Sequence, residues 1–499
     1  MVEYLLVWLA LSTICTISNF FITIYIIMKN KKGGKVFASG GFGCVFDPAL
    51  RCEGSQKNDS THSISKLMTE KNALQEYNEI QTLSKKLETV KNYKDYFLLY
   101  DISVCKPYKL TETDLKDFNT KCKALPKDNI TKVNINDSLD KLLMLNMPNG
   151  GVAIDEYIYE NGSIDNLIKL NSSLMELLIN GIIPMNKRNV YHCDIKDSNI
   201  LFDKTNDKAR LIDWGLSTEY VPFKNSEFPK VWRNRPLQYN VPFSVIMFTE
   251  SFVHKYSKYI EDGGKTTESE LRPFVVNYIF YWMRERGVGH YGFINEIMYF
   301  LFSKDLINVY DDDIKFKLIE SNFTIIYITN YIIEVLIHFT KFRKDGTLDL
   351  RIYLDTVFIE TIDIWGFISS YYPFLECFFN NYDILTIGEM KAYNLIKSLF
   401  INYLYTPRAE PINTNELINN IRELEDILKK EATIDKLGKK PKQIKQIKQI
   451  KKKNNNLTRS NKNKMGSNTT KISFKKKTSK NVKLVKNLLF LSTLKKNKT

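Results

Sequence analysis

No Cys-x-x-Cys pair occurs in this chain, and its seven cysteines (15, 44, 52, 105, 122, 193 and 377) are odd in number. That argues against a disulfide framework or a zinc site and favours a reducing compartment. Acidic residues are missing from residues 436–499, which hold 22 Lys or Arg and no Asp or Glu. The net charge of +16, less those 22, leaves the first 435 residues at −6, a mildly acidic body with a polycationic tail. Like charge and few aromatics favour disorder in that tail. Three readings of it stay open: a solvated segment without a partner, contact with anionic lipid, or contact with nucleic acid. Charge of either sign is absent from Tyr4 to Met28, 25 positions rich in Leu, Ile and Phe. At 1.5 Å per helical residue such a run spans a bilayer core. Glu3 precedes it, and Lys29, Lys31, Lys32 and Lys35 follow, so the basic flank is expected on the cytosolic side. A cleaved signal peptide would want a basic start, a shorter apolar run and small residues before the cut, none of which is present. A buried or interfacial helix is the other alternative. The composition, 43% hydrophobic and 13% aromatic, suffices for a large core.

The chemistry is concentrated in one stretch. Residues 191–201 read Tyr-His-Cys-Asp-Ile-Lys-Asp-Ser-Asn-Ile-Leu, and Leu-Ile-Asp-Trp-Gly follows at 211–215. The carboxylate of Asp194, the lysine Lys196 and the amide of Asn199 fall within six residues, and the carboxylate of Asp213 lies 19 residues after that of Asp194. Phosphoryl transfer from a metal-bound nucleotide needs such a set: a carboxylate for the attacking hydroxyl, a cation for the phosphate in transit, and two oxygen ligands for the metal. The pattern His-x-Asp-x-Lys-x-x-Asn followed by Asp-Trp-Gly resembles the catalytic and metal-binding loops of eukaryotic-type serine/threonine protein kinases. The resemblance implies Asp194 as catalytic base, Lys196 on the γ-phosphate, Asn199 and Asp213 as Mg²⁺ ligands, and His192 as a brace of the loop. A lysine two residues after the base points to the serine/threonine class.

The upstream half agrees. Val36-Phe37-Ala38-Ser39-Gly40-Gly41-Phe42-Gly43-Cys44-Val45-Phe46 resembles the glycine-rich turn that covers ATP phosphates, with Ala38 at the first glycine position and Val45 against adenine. Ala38, Ser39, Gly40, Gly41, Phe42, Gly43 and Val45 are therefore candidate ATP contacts. Lys66, in the apolar run Ile64-Ser65-Lys66-Leu67, is the candidate for the α/β-phosphates. Leu74, Tyr77, Ile80, Leu83 and Leu87 form a helical stripe. Either Glu76 or Glu79 on that helix can partner Lys66, with Glu76 favoured. The run 142–151, Leu-Leu-Met-Leu-Asn-Met-Pro-Asn-Gly-Gly, resembles the kinase interlobe hinge, which puts Leu145 behind adenine and Asn146 among the ATP contacts. Pro148, lacking an N–H, leaves adenine one main-chain hydrogen bond instead of two.

Three departures stand out. Cys193 occupies the place where most regulated kinases carry an arginine that pairs with an activation-loop phosphate. Activity is then not expected to need phosphorylation of Ser217, Thr218 or Ser226. Trp214 replaces the usual phenylalanine. The usual Ala-Pro-Glu anchor is absent, with Asn240-Val241-Pro242-Phe243-Ser244 as the candidate substitute. Ile362-Asp363-Ile364-Trp365-Gly366 resembles the central helix of the second lobe, whose Asp accepts hydrogen bonds from the catalytic loop. The expected fold is thus α+β and two-lobed: a membrane anchor at 1–32, a β-rich lobe and hinge at 33–151, an enlarged helical lobe at 152–432 with an insertion at about 245–360, and a basic tail at 433–499. Within that body, 92–141 reads as a polar connection, Thr111–Cys122 as a capped helix, 163–188 as a helix, and 323–339 as a core helix. The expected activity is ATP- and Mg²⁺-dependent transfer to protein hydroxyls by a membrane-anchored enzyme with a cytosolic kinase body. A pseudokinase-like membrane scaffold and a small-molecule phosphotransferase are the alternatives. The run from Gly40 through Ser65-Lys66-Leu67-Met68 to His192-Cys193-Asp194-Ile195-Lys196 is similar to kinases of large cytoplasmic DNA viruses of eukaryotes.

Overall fold

The computed structural model describes residues 34–54, 63–224 and 228–438. The uncharged run 4–28, Ser226 and the basic tail beyond 438 lie outside the described residues. The chain divides into two compact units: residues 1–85 with 99–149, and residues 86–98 with 150–499. The segment 86–98, expected in the first unit, belongs to the second.

Unit 1 is built on an antiparallel sheet in the order β1-β2-β3-β5-β4. Its strands are β1 (Lys35–Ser39), β2 (Gly43–Asp47), β3 (Ser63–Thr69), β4 (Ser103–Cys105) and β5 (Leu142–Pro148). Helix α1 (Glu70–Leu87) follows β3 directly. Gly40 N donates to Gly43 O at 3.0 Å and closes the β1–β2 turn. A Cβ on Gly43 would lie 2.7 Å from Leu67 O and 2.2 Å from Met68 Cγ, so only glycine lets β2 approach β3 this closely.

Side chains alternate between the two faces of the sheet, so cross-strand partners share a face. Cys44, Leu67 and Met144 lie side by side on one face. That face is covered by residues 110–135, with Leu110, Leu115, Phe118, Leu125, Ile130 and Ile135 all buried against it. The stretch 92–141 is therefore a packed layer over much of its length rather than a polar connection. Its helix is shorter than expected: only Phe118–Lys121 is helical, and Thr111 and Asp114 close a turn ahead of it by reciprocal hydrogen bonds.

Four of the seven cysteines are joined in this unit, Cys44 to Cys122 and Cys52 to Cys105, across Cα–Cα distances of 5.3 and 5.7 Å. This corrects the reading of the cysteine count. Pairing over 78 and 53 residues leaves no local spacing to see, and an odd total does not prevent two bridges. Cys193 and Cys377 are free and buried.

From residue 150 on, unit 2 runs through β6 (Val152–Ala153), α2 (Ile154–Asn161) and α3 (Ile164–Glu176). The last runs on through a wide turn at Leu177–Ile182 to Ile183–Asn186, the helix expected over 163–188. Four short strands follow: β7 (Val190–Tyr191), β8 (Ile200–Asp203), β9 (Lys208–Leu211) and β10 (Thr218–Glu219). β7 pairs with β10, while β8 lies between β6 and β9. The insertion is helical, with α4 (Glu250–Glu261), α5 (Glu268–Arg286) and α6 (Ile325–Phe339). Continuous helix over Asp312–Phe339 is long and apolar enough to cross a membrane. Ile328, Tyr331, Ile332 and Leu336 are buried in the fold, and Thr324 at its middle donates to Asn295, as a core helix requires. Helix α7 (Ile359–Ser369) is buried on all sides except at Glu360. The C-terminal α8 (Thr414–Gly438) packs on α3, where Asn171 Nδ2 donates to Ile421 O at 3.3 Å.

Alkylation of the unreduced native chain is expected to leave Cys44, Cys52, Cys105 and Cys122 unmodified, and reduction to open all four, as read by peptide mass mapping. Replacing Cys105 and Cys122 by alanine should cost about 2–4 kcal/mol for each bridge lost, measured by urea unfolding under oxidising conditions.

Candidate functional site

In unit 1 the strand registers assemble one row. Ala38 pairs with Val45, Val45 with Lys66, and Lys66 with Leu145. These four share the face opposite the one covered by residues 110–135. Lys66 Nζ donates to both carboxylate oxygens of Glu76 at 2.7 Å. Glu79 instead accepts from Gln75 Nε2 on the exposed side of α1. The sequence-level choice between the two glutamates thus resolves to Glu76. A Cβ on Gly40 would sit 3.7 Å from Lys66 Cε, so the turn lies over the lysine. Gly41 has open space beside it, and Phe42 at the tip is exposed. Ser39 Oγ accepts from Lys123 N at 3.1 Å and Ala124 N at 3.2 Å, which pins the end of β1 to the segment next to the Cys44–Cys122 bridge.

Asn146 lies elsewhere than expected. It pairs with Ser65 and Ser103, one register position from Leu145, and so faces away from Lys66. Its Oδ1 accepts from Ser65 Oγ and its Nδ2 donates to the sulfurs of Cys52 and Cys105 at 3.2 and 3.3 Å. The Asn146 side chain is spent this way and is not free to meet a nucleotide. Pro148 is paired with Ser63 within the strand.

In unit 2 the catalytic stretch is held from below by one carboxylate. Asp363, fully buried on α7, accepts from His192 N at 2.9 Å and Cys193 N at 2.8 Å. Burial pushes its carboxyl above the usual range, against the pull of His192 and those two N–H groups. Cys193 has φ +63°, a strained conformation for a residue with a Cβ. Its thiol is buried and accepts from Trp232 Nε1 at 3.2 Å. The imidazole of His192 meets Ile212 O through Nε2 at 2.9 Å and packs on Trp214, which packs in turn on Phe97. It braces the loop, as the resemblance implied.

Asp194 sits at the centre, 6% exposed. Its Oδ2 accepts from Lys196 Nζ at 2.8 Å and Asn199 Nδ2 at 3.0 Å, and its Oδ1 from Asn240 Nδ2 at 2.8 Å. Burial pushes the carboxyl upward, but the charge and hydrogen bond of Lys196, then Asn240 and Arg235, outweigh it and hold it below the usual carboxylate range. Asp194 is therefore ionised at neutral pH and suited to orienting a hydroxyl and receiving its proton. Asn199 Nδ2 also donates to Asp194 O at 2.8 Å, which leaves the amide oxygen for another partner. Ile212 N donates to Asn199 O at 3.0 Å, so Asn199 and Asp213 stand at the same end of the β8–β9 ladder. Asp213 is exposed, with φ +62°. One amide oxygen and one carboxylate are hard donors that fit Mg²⁺.

Two further residues join this site without having been named for it. Tyr239 OH donates to Asp197 at 2.6 Å. Asn240 bonds both Asp194 and Ile195 O. The signal for Asn240 was present, since it opens the run that stands in place of the missing anchor. What hid its role was a separation of 46 residues from Asp194.

Residues 49–232 match the protein kinase domain. The match takes in Lys66, Glu76 and the whole stretch from His192 to Asp213; Gly40–Gly43 and Asp363 lie outside it. A Dictyostelium discoideum protein named probable serine/threonine-protein kinase fnkB is 36% identical to this chain over 72 residues, 14% of this chain and 13% of that protein. The chain thus spans about an eighth of the length of this curated relative. The sheet-based N-terminal unit and the helical C-terminal unit agree with a kinase domain.

Asp363→Ala should leave two buried N–H groups unpaired and cost about 3 kcal/mol in urea unfolding. Lys196→Met removes the main cation opposing the desolvation of Asp194. Its carboxyl should rise, and the acid limb of any phosphotransfer activity should move to higher pH.

Proposed function

We propose that this chain is an ATP- and Mg²⁺-dependent serine/threonine protein kinase. The observation that carries the reading is Asp194: a buried, ionised carboxylate fixed by Lys196, Asn199 and Asn240, in a chain that also forms the Lys66–Glu76 pair beneath a glycine turn. Lys66 would hold the α/β-phosphates, with Glu76 fixing its position. Asp194 would orient the substrate hydroxyl and take its proton, while Lys196 would neutralise charge on the group in transit. Mg²⁺, held by the Asn199 amide oxygen and Asp213, would supply charge neutralisation at the phosphates. Protein side chains are the proposed acceptors.

Four finer readings belong to the same proposal. Activity is constitutive, because no arginine at 193 waits for a phosphate. The uncharged run 4–28 anchors the chain in a membrane, and the tail meets anionic lipid or nucleic acid through its charge. The motifs resemble in style those of kinases from large cytoplasmic DNA viruses. On sidedness two observations pull apart: the basic flank 29–35 argues for the cytosolic face, and the two disulfides argue for oxidising surroundings. Protease protection in intact cells decides between them.

The full chain incubated with radiolabelled ATP, Mg²⁺ and general acceptor proteins should transfer label to serine and threonine. Asp194→Asn should lower the rate about a thousandfold, and Lys66→Met should lose activity. Label moving to small metabolites instead, or a rate equal in all three forms, would remove the protein-kinase reading. Phosphatase pretreatment should leave the rate unchanged; loss of activity would remove the constitutive part alone.

A further inference from the structure

The place next to the base that lacks an arginine is not short of one in space. Arg235 reaches the catalytic loop from 42 residues downstream and donates through Nη1 to Cys193 O at 2.8 Å. Its Nε donates to Gln238 Oε1 at 2.7 Å, and its Nη2 lies 3.7 Å from Asp194 Oδ1. The guanidinium is 6% exposed. Its Nη2 has no hydrogen-bond partner among the described residues. Leaving a buried donor unmet costs about 1–3 kcal/mol, so packing alone gives no reason to place an arginine here. The position makes sense as a charge set beside Asp194 whose second arm fixes the loop backbone.

The segment that carries Arg235 is itself held by the helical insertion. Trp282 Nε1 on α5 donates to Arg235 O at 2.9 Å. Arg286 donates to Asn234 O through Nε at 3.1 Å and Nη2 at 2.8 Å, and His290 N donates to Leu237 O at 2.8 Å. A Cβ on Gly289 would lie 2.2 Å from Leu237 O, so this contact is close enough to require glycine, at φ +54°. Three residues of the insertion thus grip the main chain on both sides of Arg235. Trp232, three residues before it, caps the Cys193 thiol.

We propose that Arg235 is a positioning residue for Asp194 and that α5, through Trp282, is the latch that keeps it there. The insertion then performs, by permanent hydrogen bonds, the ordering that a phosphate and an arginine at 193 would otherwise provide. This rests on the kinase reading for its functional sense, though not for its geometry.

The test uses the full chain and compares wild type with Arg235→Met, Arg235→Lys and Trp282→Phe. In Arg235→Met, kcat should fall about 100-fold with KM for ATP within twofold. Arg235→Lys, which keeps the charge but loses the fork, should restore only part of kcat. Trp282→Phe should lower kcat while KM for ATP stays within twofold. Hydrogen exchange of the peptide covering 190–196 is read on the same samples and should quicken in Arg235→Met. An unchanged kcat in Arg235→Met overturns the proposal. So does unchanged exchange, even if the wild-type chain transfers no phosphate. Should Arg235→Met fail to fold, an unchanged kcat in both other variants overturns it. A wild-type chain without transfer, but with exchange quickened in Arg235→Met, counts against the kinase reading and leaves the positioning role standing.

Discussion

The grip of Asp363 on two consecutive amides is the constraint from which the stretch around Asp194 follows. Each carboxylate oxygen takes one N–H, from His192 and from Cys193. That double hold keeps Cys193 in a left-handed conformation whose cost is about 1–3 kcal/mol. Turned this way, the chain sends the Cys193 thiol into the core under Trp232 and places Asp194 among Lys196, Asn199 and Asn240. The helix bearing Asp363 is buried almost throughout, so the hold is made on a rigid support. Asp213, the other carboxylate of the site, has its own left-handed backbone, tied to the same stretch through His192 and Ile212.

Charge at this place is opposed rather than isolated. Asp194, Asp197 and Asp363 are buried, with Arg235 buried beside Asp194 and Lys196 half-buried against it. Removing Lys196 or Arg235 leaves Asp194 with less to offset its burial, a loss costlier than the pair was ever favourable. Desolvation alone would push the Asp194 carboxyl above its usual range. The cations reverse that outcome, and they do so from different directions. Lys196 comes from the same loop and Arg235 from a segment governed by the insertion. Electrostatics in the site is therefore coupled to a part of the fold that the protein-kinase match, ending at residue 232, does not include.

The residues legible in the sequence are those whose chemistry is local. Asp194, Lys196 and Asn199 lie within six residues, and Asp213 follows by a short hairpin, so spacing alone conveyed that they share one region. Lys66 and Glu76 were readable because a strand and the helix after it have fixed periods. The direction of the Asn146 side chain was not legible, for the opposite reason. A strand is easy to see, but which of its residues face the core depends on register against a partner, and a shift by one reverses every side chain. The disulfides, the packed layer at 110–135, and the arrival of Arg235 and Asn240 beside Asp194 depend on contacts between distant segments, for which a single sequence carries no local sign. Asp363 is the exception among distant contacts, since its Asp-Ile-Trp-Gly setting was recognisable.

The Cys44–Cys122 bridge joins the strand that leaves the glycine turn to the residues that hold Ser39 on the strand that enters it. Both legs of the hairpin are thereby stapled to one neighbour, and the hold on the turn depends on sulfur chemistry. Dithiothreitol in a routine purification buffer is then not an inert additive. A preparation made with it and one made without it are two different molecules at the same address, and an inhibitor ranked on the first need not rank the same way on the second.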